Sequence, residues 1–190
     1  MNYFTNEWNS DLSILQSFLD QVEFYSGTER KQMLKKANEK HSKNSGSMLY
    51  GTTWKSYLSP TKNRTKCEKT GLYKTKVKDL HPELEDVFKE FASLYFPDFE
   101  YTQVQMNKNF TTPPHRDSVN VGESILVCCG NYFGGLTCVD KDTKIVKYDA
   151  RDKPLKFNGA KYLHWVERYE GTRYSLVFYN SNYKTKLNKN

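Results

Sequence analysis

His115-Arg116-Asp117-Ser118-Val119-Asn120 follows the paired prolines Pro113 and Pro114, and the chain later supplies His164 and then Arg173-Tyr174-Ser175. On an extended backbone residues i and i+2 point the same way, so His115 and Asp117 can share a ligand while Arg116 turns aside. His164 lies in an alternating segment, so only a sheet can return it to the first two. Two imidazoles and one carboxylate suit three facial positions on a ferrous ion, with the opposite face left for an oxidant and a co-substrate. The order H-x-D, H, R therefore points to a non-haem iron oxygenase with His115, Asp117 and His164 as metal ligands.

Arg173 and Ser175 form a second pair at i and i+2. A planar guanidinium matches the remote carboxylate of a dicarboxylic keto acid, and a hydroxyl adds a further hydrogen bond. The implied co-substrate is 2-oxoglutarate. The alternative is an ordinary ion pair of Arg173 with Glu167 or Glu170. His-Arg-Asp also opens the catalytic loop of protein kinases, but a kinase needs an Asn five residues after the Asp, a Gly-rich loop and a Lys-bearing strand, and none of these is present.

A chain of 190 residues and 22.3 kDa is expected to form a single domain over residues 1–190 with a real core. Hydrophobic residues make up 37% and aromatics 15%, so the core should be rich in aromatics. No run is long and apolar enough for a membrane span, and Met1-Asn2-Tyr3-Phe4-Thr5 lacks the pattern of a secretion signal. The expectation is a soluble intracellular monomer with no membrane partner, nuclear in a eukaryote and cytoplasmic otherwise. Cys67, Cys128, Cys129 and Cys138 fit neither a zinc motif nor a disulfide scaffold and read as small hydrophobes. Cys128 and Cys129 should face opposite sides of a sheet.

The net charge of +7 is unevenly placed. Residues 25–80 carry 14 Lys or Arg against 4 Asp or Glu, and residues 101–190 carry 14 against 8. Residues 1–24 and 81–100 are acidic. Such a field attracts a polyanion through salt-dependent phosphate contacts, although a solvated lysine-rich surface has the same composition.

The spacing predicts a helix over 11–24 capped by Asn9 or Ser10, a basic helix over 28–40, and a helix over 82–95 with Pro82 in its first turn. Residues 41–78 form a basic region with Tyr50, Trp54, Tyr57 and Tyr73 interspersed, expected to hold short strands or a functional loop. Strands are expected at 101–107, 123–129, 136–139, 143–148, 154–158, 161–167 and 172–180. Helices first and strands after imply an α+β domain, with residues 1–100 as helical support. The economical architecture is a distorted double-stranded β-helix, or jelly roll, whose core spans 101–183. Gly134-Gly135 marks either a close backbone approach or a plain hairpin.

His115 to Ser124, Phe133-Gly134-Gly135-Leu136, His164 and Arg173 to Tyr179 together resemble the oxygenase core of the TET/JBP family. Those enzymes are iron- and 2-oxoglutarate-dependent dioxygenases that oxidise the methyl group of 5-methylcytosine or thymine in DNA. The resemblance implies that His115, Asp117 and His164 bind Fe(II), that Arg173 and Ser175 hold 2-oxoglutarate, and that O2 is the oxidant. It further implies that Asn120 hydrogen-bonds the target base and that Tyr179 stacks on it once it is flipped out of the helix. The partner is then DNA, with RNA as an alternative. Ser181 departs from the pattern: methylcytosine oxidases tend to have a base-contacting His there, so thymine or another modified base stays admissible.

Other function classes fit less well. A prolyl-type protein hydroxylase commonly holds the keto acid with Lys where this chain has Arg173. A repair demethylase of the AlkB kind spaces its two arginines differently from Arg168 and Arg173. A catalytically inert nucleic-acid-binding module would be expected to have lost at least one ligand.

Overall fold

A computed structural model describes residues 2–26, 45–55 and 71–181. The expected basic helix at 28–40 lies outside these residues, as do Cys67, Tyr57 and the side chains of Trp54 and Tyr73.

Helix α1 (Trp8–Asp20) is followed by strands β1 (Gly46–Lys55) and β2 (Gly71–Lys74), a short helix α2 (Lys76–Leu80) and helix α3 (Leu84–Tyr95). The remaining strands are β3 (Gln103–Lys108), β4 (Asn120–Cys129), β5 (Tyr132–Gly134), β6 (Thr137–Asp140), β7 (Ile145–Tyr148), β8 (Leu155–Phe157), β9 (Leu163–Val166), β10 (Tyr169–Gly171) and β11 (Tyr174–Ser181). The basic region thus contributes two strands, and Tyr50 on β1 is buried in the core.

The helix over 11–24 starts earlier than expected, at Trp8, and neither Asn9 nor Ser10 caps it. The polar residue at its start is Asp11, which turns back to accept the N–H groups of Thr5 and Asn6 and the Tyr95 hydroxyl. Pro82 lies in the turn before α3, where its carbonyl accepts from the Glu85 N–H.

A large antiparallel sheet has the order β2-β1-β3-β11-β4-β8, and a smaller one the order β7-β6-β9. Residues 112–117 extend the smaller sheet beyond β9. His115 and His164 exchange both backbone hydrogen bonds at 3.0 Å, and the Val166 N–H reaches Thr112 O at 3.2 Å. Strands taken alternately from the chain therefore build two facing sheets, β3-β11-β4-β8 against β7-β6-β9 and the 112–117 segment. That strand order is a double-stranded β-helix, the architecture expected from the sequence.

Alternation sorts the side chains by layer. Ile125, Val127 and Cys129 join Leu176 and Phe178 beneath α1 and α3, where Leu15, Leu19, Phe88 and Phe91 are also buried. Leu126 and Cys128 face the other way, with Val139, Leu155 and Phe157 between the two sheets. The adjacent cysteines accordingly lie on opposite faces. Fully burying one such side chain contributes about 1.5–3 kcal/mol, so the aromatic helix layer holds the large sheet rigid. On its inner face β11 then presents Ser175, Val177 and Tyr179 to the space between the sheets.

Candidate active site

The 112–117 segment and β9 bring three donors together. One ligating atom from each of His115, Asp117 and His164 lies within 4.8 Å of the others. The pairing of the His115 and His164 backbones sets their rings side by side, with centroids 4.2 Å apart. His164 is 8% exposed, and Phe157 meets its ring edge-on at 5.0 Å.

Backbone carbonyls fix both histidine tautomers. His115 Nδ1 lies 2.8 Å from Pro113 O, and His164 Nδ1 lies 3.0 Å from Tyr162 O. A carbonyl only accepts, so each Nδ1 carries the proton and each Nε2 offers a lone pair. The two Nε2 atoms flank the Asp117 carboxylate, at 3.7 Å from Oδ1 and 3.8 Å from Oδ2. Those separations are too long for hydrogen bonds and suit atoms that surround a common cation. Carbonyl acceptors behind the ligating imidazoles are the usual outer support of a metal site. The donor set therefore fits a divalent ion, and nitrogen with oxygen donors suits iron(II). Arg116 turns outward, its Nε donating to Lys161 O at 2.9 Å.

Asp117 is itself confined. Its N–H donates to Gly159 O at 3.0 Å, and Asn120 Nδ2 donates to its Oδ2 at 2.8 Å. A Cβ on Gly159 would lie 2.3 Å from that same Oδ2, so only glycine leaves the carboxylate its place.

A cavity of about 410 Å³ opens beside the triad, and its lining includes Arg173, Ser175, Thr137, Asn120 and Tyr179. Arg173 is 2% exposed and forms no ion pair among the described residues. Of the two alternative partners, Glu167 instead binds Lys147 at 2.6 Å, and Glu170 forms no ion pair with Arg173. The guanidinium packs against the rings of Tyr132 and Tyr169, at 5.5 and 5.7 Å, and Nη2 donates to Cys128 Sγ at 3.1 Å. Burial pushes the Cys128 thiol up, against the pull of Arg173, so it stays neutral and is no counter-ion. Arg173 Nε and the nearby Thr137 Oγ1 are both buried without a hydrogen-bond partner. Burying a cation without a direct ion pair is costly, and a ligand carboxylate in this cavity would offset that cost.

Neighbouring groups aim this end of the cavity. The Arg173 N–H donates to Asn109 Oδ1 at 2.8 Å, and Asn109, at φ 48°, returns its own N–H to Arg173 O. Ser175 Oγ accepts from Asn107 Nδ2 at 3.1 Å, and Ser47 supports Asn107 in turn at 2.6 Å. Gly135, at φ 71°, lets the backbone lie against this cluster: a Cβ there would be 3.1 Å from Arg173 Cδ, Tyr132 and Tyr169. The glycine pair therefore serves close approach, with Gly134 beside Arg168 O in the pairing of β5 with β10.

All seven residues singled out in the sequence line this one cavity. Thr137, Gly159, Asn109 and Ser124 were not anticipated. A polar residue at an inward position of a strand was a legible sign for Thr137, and the Asn158-Gly159 turn for Gly159. Nothing local marks Asn109 or Ser124.

The two facing sheets and the histidine–carboxylate cluster define this chain as a double-stranded β-helix protein with a two-histidine, one-carboxylate donor set. No family model and no curated protein matches the sequence. Solved structures similar to it include NgTET1 in complex with 5mC DNA, at 15% identity and TM-score 0.47, covering 85% of this chain and 74% of that one. A prolyl hydroxylase from Trichoplax adhaerens, in complex with a hypoxia inducible factor oxygen degradation domain peptide fragment, gives 16% and 0.48 over 98% and 84%. A Pseudomonas putida prolyl-4-hydroxylase gives 10% and 0.44 over 94% and 89%.

Proposed function

We propose that this chain is an Fe(II)- and 2-oxoglutarate-dependent dioxygenase that oxidises the methyl group of 5-methylcytosine, or of thymine, in DNA. The observation that carries the reading is the buried guanidinium of Arg173, without an ion pair among the described residues, in the same cavity as the three convergent donors His115, Asp117 and His164. His115 Nε2, His164 Nε2 and an Asp117 oxygen would hold the metal. Arg173 would bind the remote carboxylate of 2-oxoglutarate, with Ser175 beside it. The ion and co-substrate, with O2, supply a two-electron oxidation of a C–H bond coupled to loss of carbon dioxide, giving succinate.

The chain's own contribution is placement. The Nδ1 to carbonyl bonds keep both Nε2 lone pairs turned to the metal position. The Tyr132 and Tyr169 rings shield Arg173 from water, which strengthens its grip on an anion. A methyl group inside a duplex cannot reach a site enclosed between two sheets, so the base must leave the stack, at a cost of a few kcal/mol. Tyr179 and Asn120 line the cavity that would receive it, and the basic surplus of residues 25–80 and 101–190 supplies an attractive field for the phosphates.

The test is nucleoside mass spectrometry after incubating the protein, Fe(II) and 2-oxoglutarate with DNA that carries 5-methylcytosine and thymine. The expected result is a new hydroxymethylated nucleoside. Oxygen added to protein and never to nucleosides would replace the DNA reading with that of a protein hydroxylase.

A further inference from the structure

The third residue after Asp117 is tied to the metal set more closely than a base contact requires. Asn120 Nδ2 donates to Asp117 Oδ2 at 2.8 Å and lies 3.1 Å from Ser124 Oγ. An ionised carboxylate has no proton to give, so the amide nitrogen, and not its oxygen, must face Asp117. Ser124 is fully buried and sits opposite Tyr179 in the pairing of β4 with β11, so it is a fixed anchor.

The local backbone is shaped to close this link. The register of β4 against β11 jumps between Tyr179, paired with Ser124, and Asn180, paired with Val121. Gly122, at φ 74°, falls in the extra length. A bulge of this kind re-aims the flanking side chain, and here it returns Asn120 toward both Ser124 and Asp117. Gly159 borders the same oxygen, where a Cβ would lie 2.3 Å from Oδ2. Asp117 Oδ2 thus meets one donor and one bare stretch of backbone.

We infer that Asn120 is a positioning residue for the metal-binding carboxylate: it holds Asp117 Oδ2 and so sets the orientation in which Asp117 meets the ion. The inference rests on the dioxygenase reading above. It has a consequence for substrate. Both amide hydrogens of Asn120 are directed to acceptors within the protein, which leaves Oδ1, an acceptor, as the atom it can turn to a base. Its amide nitrogen is then not a donor to a base carbonyl.

Titration calorimetry of the whole chain with Mn(II), an oxygen-stable substitute for Fe(II), tests the assignment without any turnover. Asn120→Ala should weaken Mn(II) binding about ten- to a hundredfold, the usual effect of removing a group that orients a metal ligand. Ser124→Ala, which removes only the anchor, should weaken it less and in the same direction. Circular dichroism melting of each variant separates a loss of folding from a loss of orientation. If the wild type binds Mn(II) and Asn120→Ala binds it within twofold as tightly, with the deficit confined to KM for methylated DNA, the positioning role is overturned and the dioxygenase reading stands. If the wild type itself takes no Mn(II), both fail together.

Discussion

Arg173 shows most plainly why single positions matter here. It is buried and charged, and it has no carboxylate partner among the described residues. Tyr132, Tyr169 and Gly135 crowd its stem, so its direction is a property of packing. Gly135→Ala combines a left-handed backbone at φ 71° with a Cβ placed 3.1 Å from Arg173 Cδ. We expect the variant to fold and to raise KM for 2-oxoglutarate about tenfold, equivalent to roughly 1.4 kcal/mol of lost co-substrate binding. Kinetics of succinate release at varied 2-oxoglutarate check this, and an unchanged KM would detach Gly135 from the guanidinium. At this scale much could be read from the chain. The i, i+2 logic that put His115 and Asp117 on one face needed no tertiary information. Asn109 and Ser124 escaped because their importance comes from hydrogen bonds to Arg173 and Asn120 that form only in the folded sheet.

Among the elements, the helices over 11–24 and 82–95 were legible from apolar spacing, the second to its last residue Tyr95, but their starts were not. The start of α1 depends on Asp11, which accepts from Thr5 at 2.7 Å, from Asn6 at 2.9 Å and from Tyr95 at 2.5 Å, joining the N-terminal turn to α3. Burial works to raise the Asp11 pKa, but the hydrogen bonds from Tyr95, Thr5 and Asn6 outweigh it and leave it below the ordinary 3.8. A carboxyl held low in the fold stabilises fully above its unfolded value, and that contribution is lost as pH falls through the folded one. Asp11→Asn should therefore cost about 2 kcal/mol at neutral pH, and the gap to wild type should narrow on acidification below about pH 4. Thermal melts from pH 6 to pH 3 measure it; a gap independent of pH would mean that the charge of Asp11 contributes nothing. β1 and β2 lie in the region expected to hold short strands or a loop, and from residue 101 on the strands also fell where expected, except for the short β5–β10 pair. Three residues each, too few for a periodic signal, pair only because Gly134 permits close approach to Arg168.

In the molecule as a whole, the separation of strands along the chain is what makes a site at all. β3, β11, β4 and β8 form one wall, and β7, β6, β9 and the 112–117 segment form the other, so residues far apart in sequence meet across about 410 Å³. The aromatic layer under α1 and α3 keeps the large sheet fixed, and the site inherits that rigidity. Among the described residues no helix is long and apolar enough to cross a membrane. The order of strands could be anticipated only as an economical way to return His164 to His115, because pairing across such distances depends on the completed core. The account stands on His115, Asp117 and His164 sharing one ferrous ion while Arg173 grips the acid consumed there. Its most direct test is succinate release from 2-oxoglutarate by the purified chain with Fe(II) and O2, wild type against His115→Ala. The account predicts turnover in the wild type and none above background in the variant; equal succinate from both, or none from either, would contradict it.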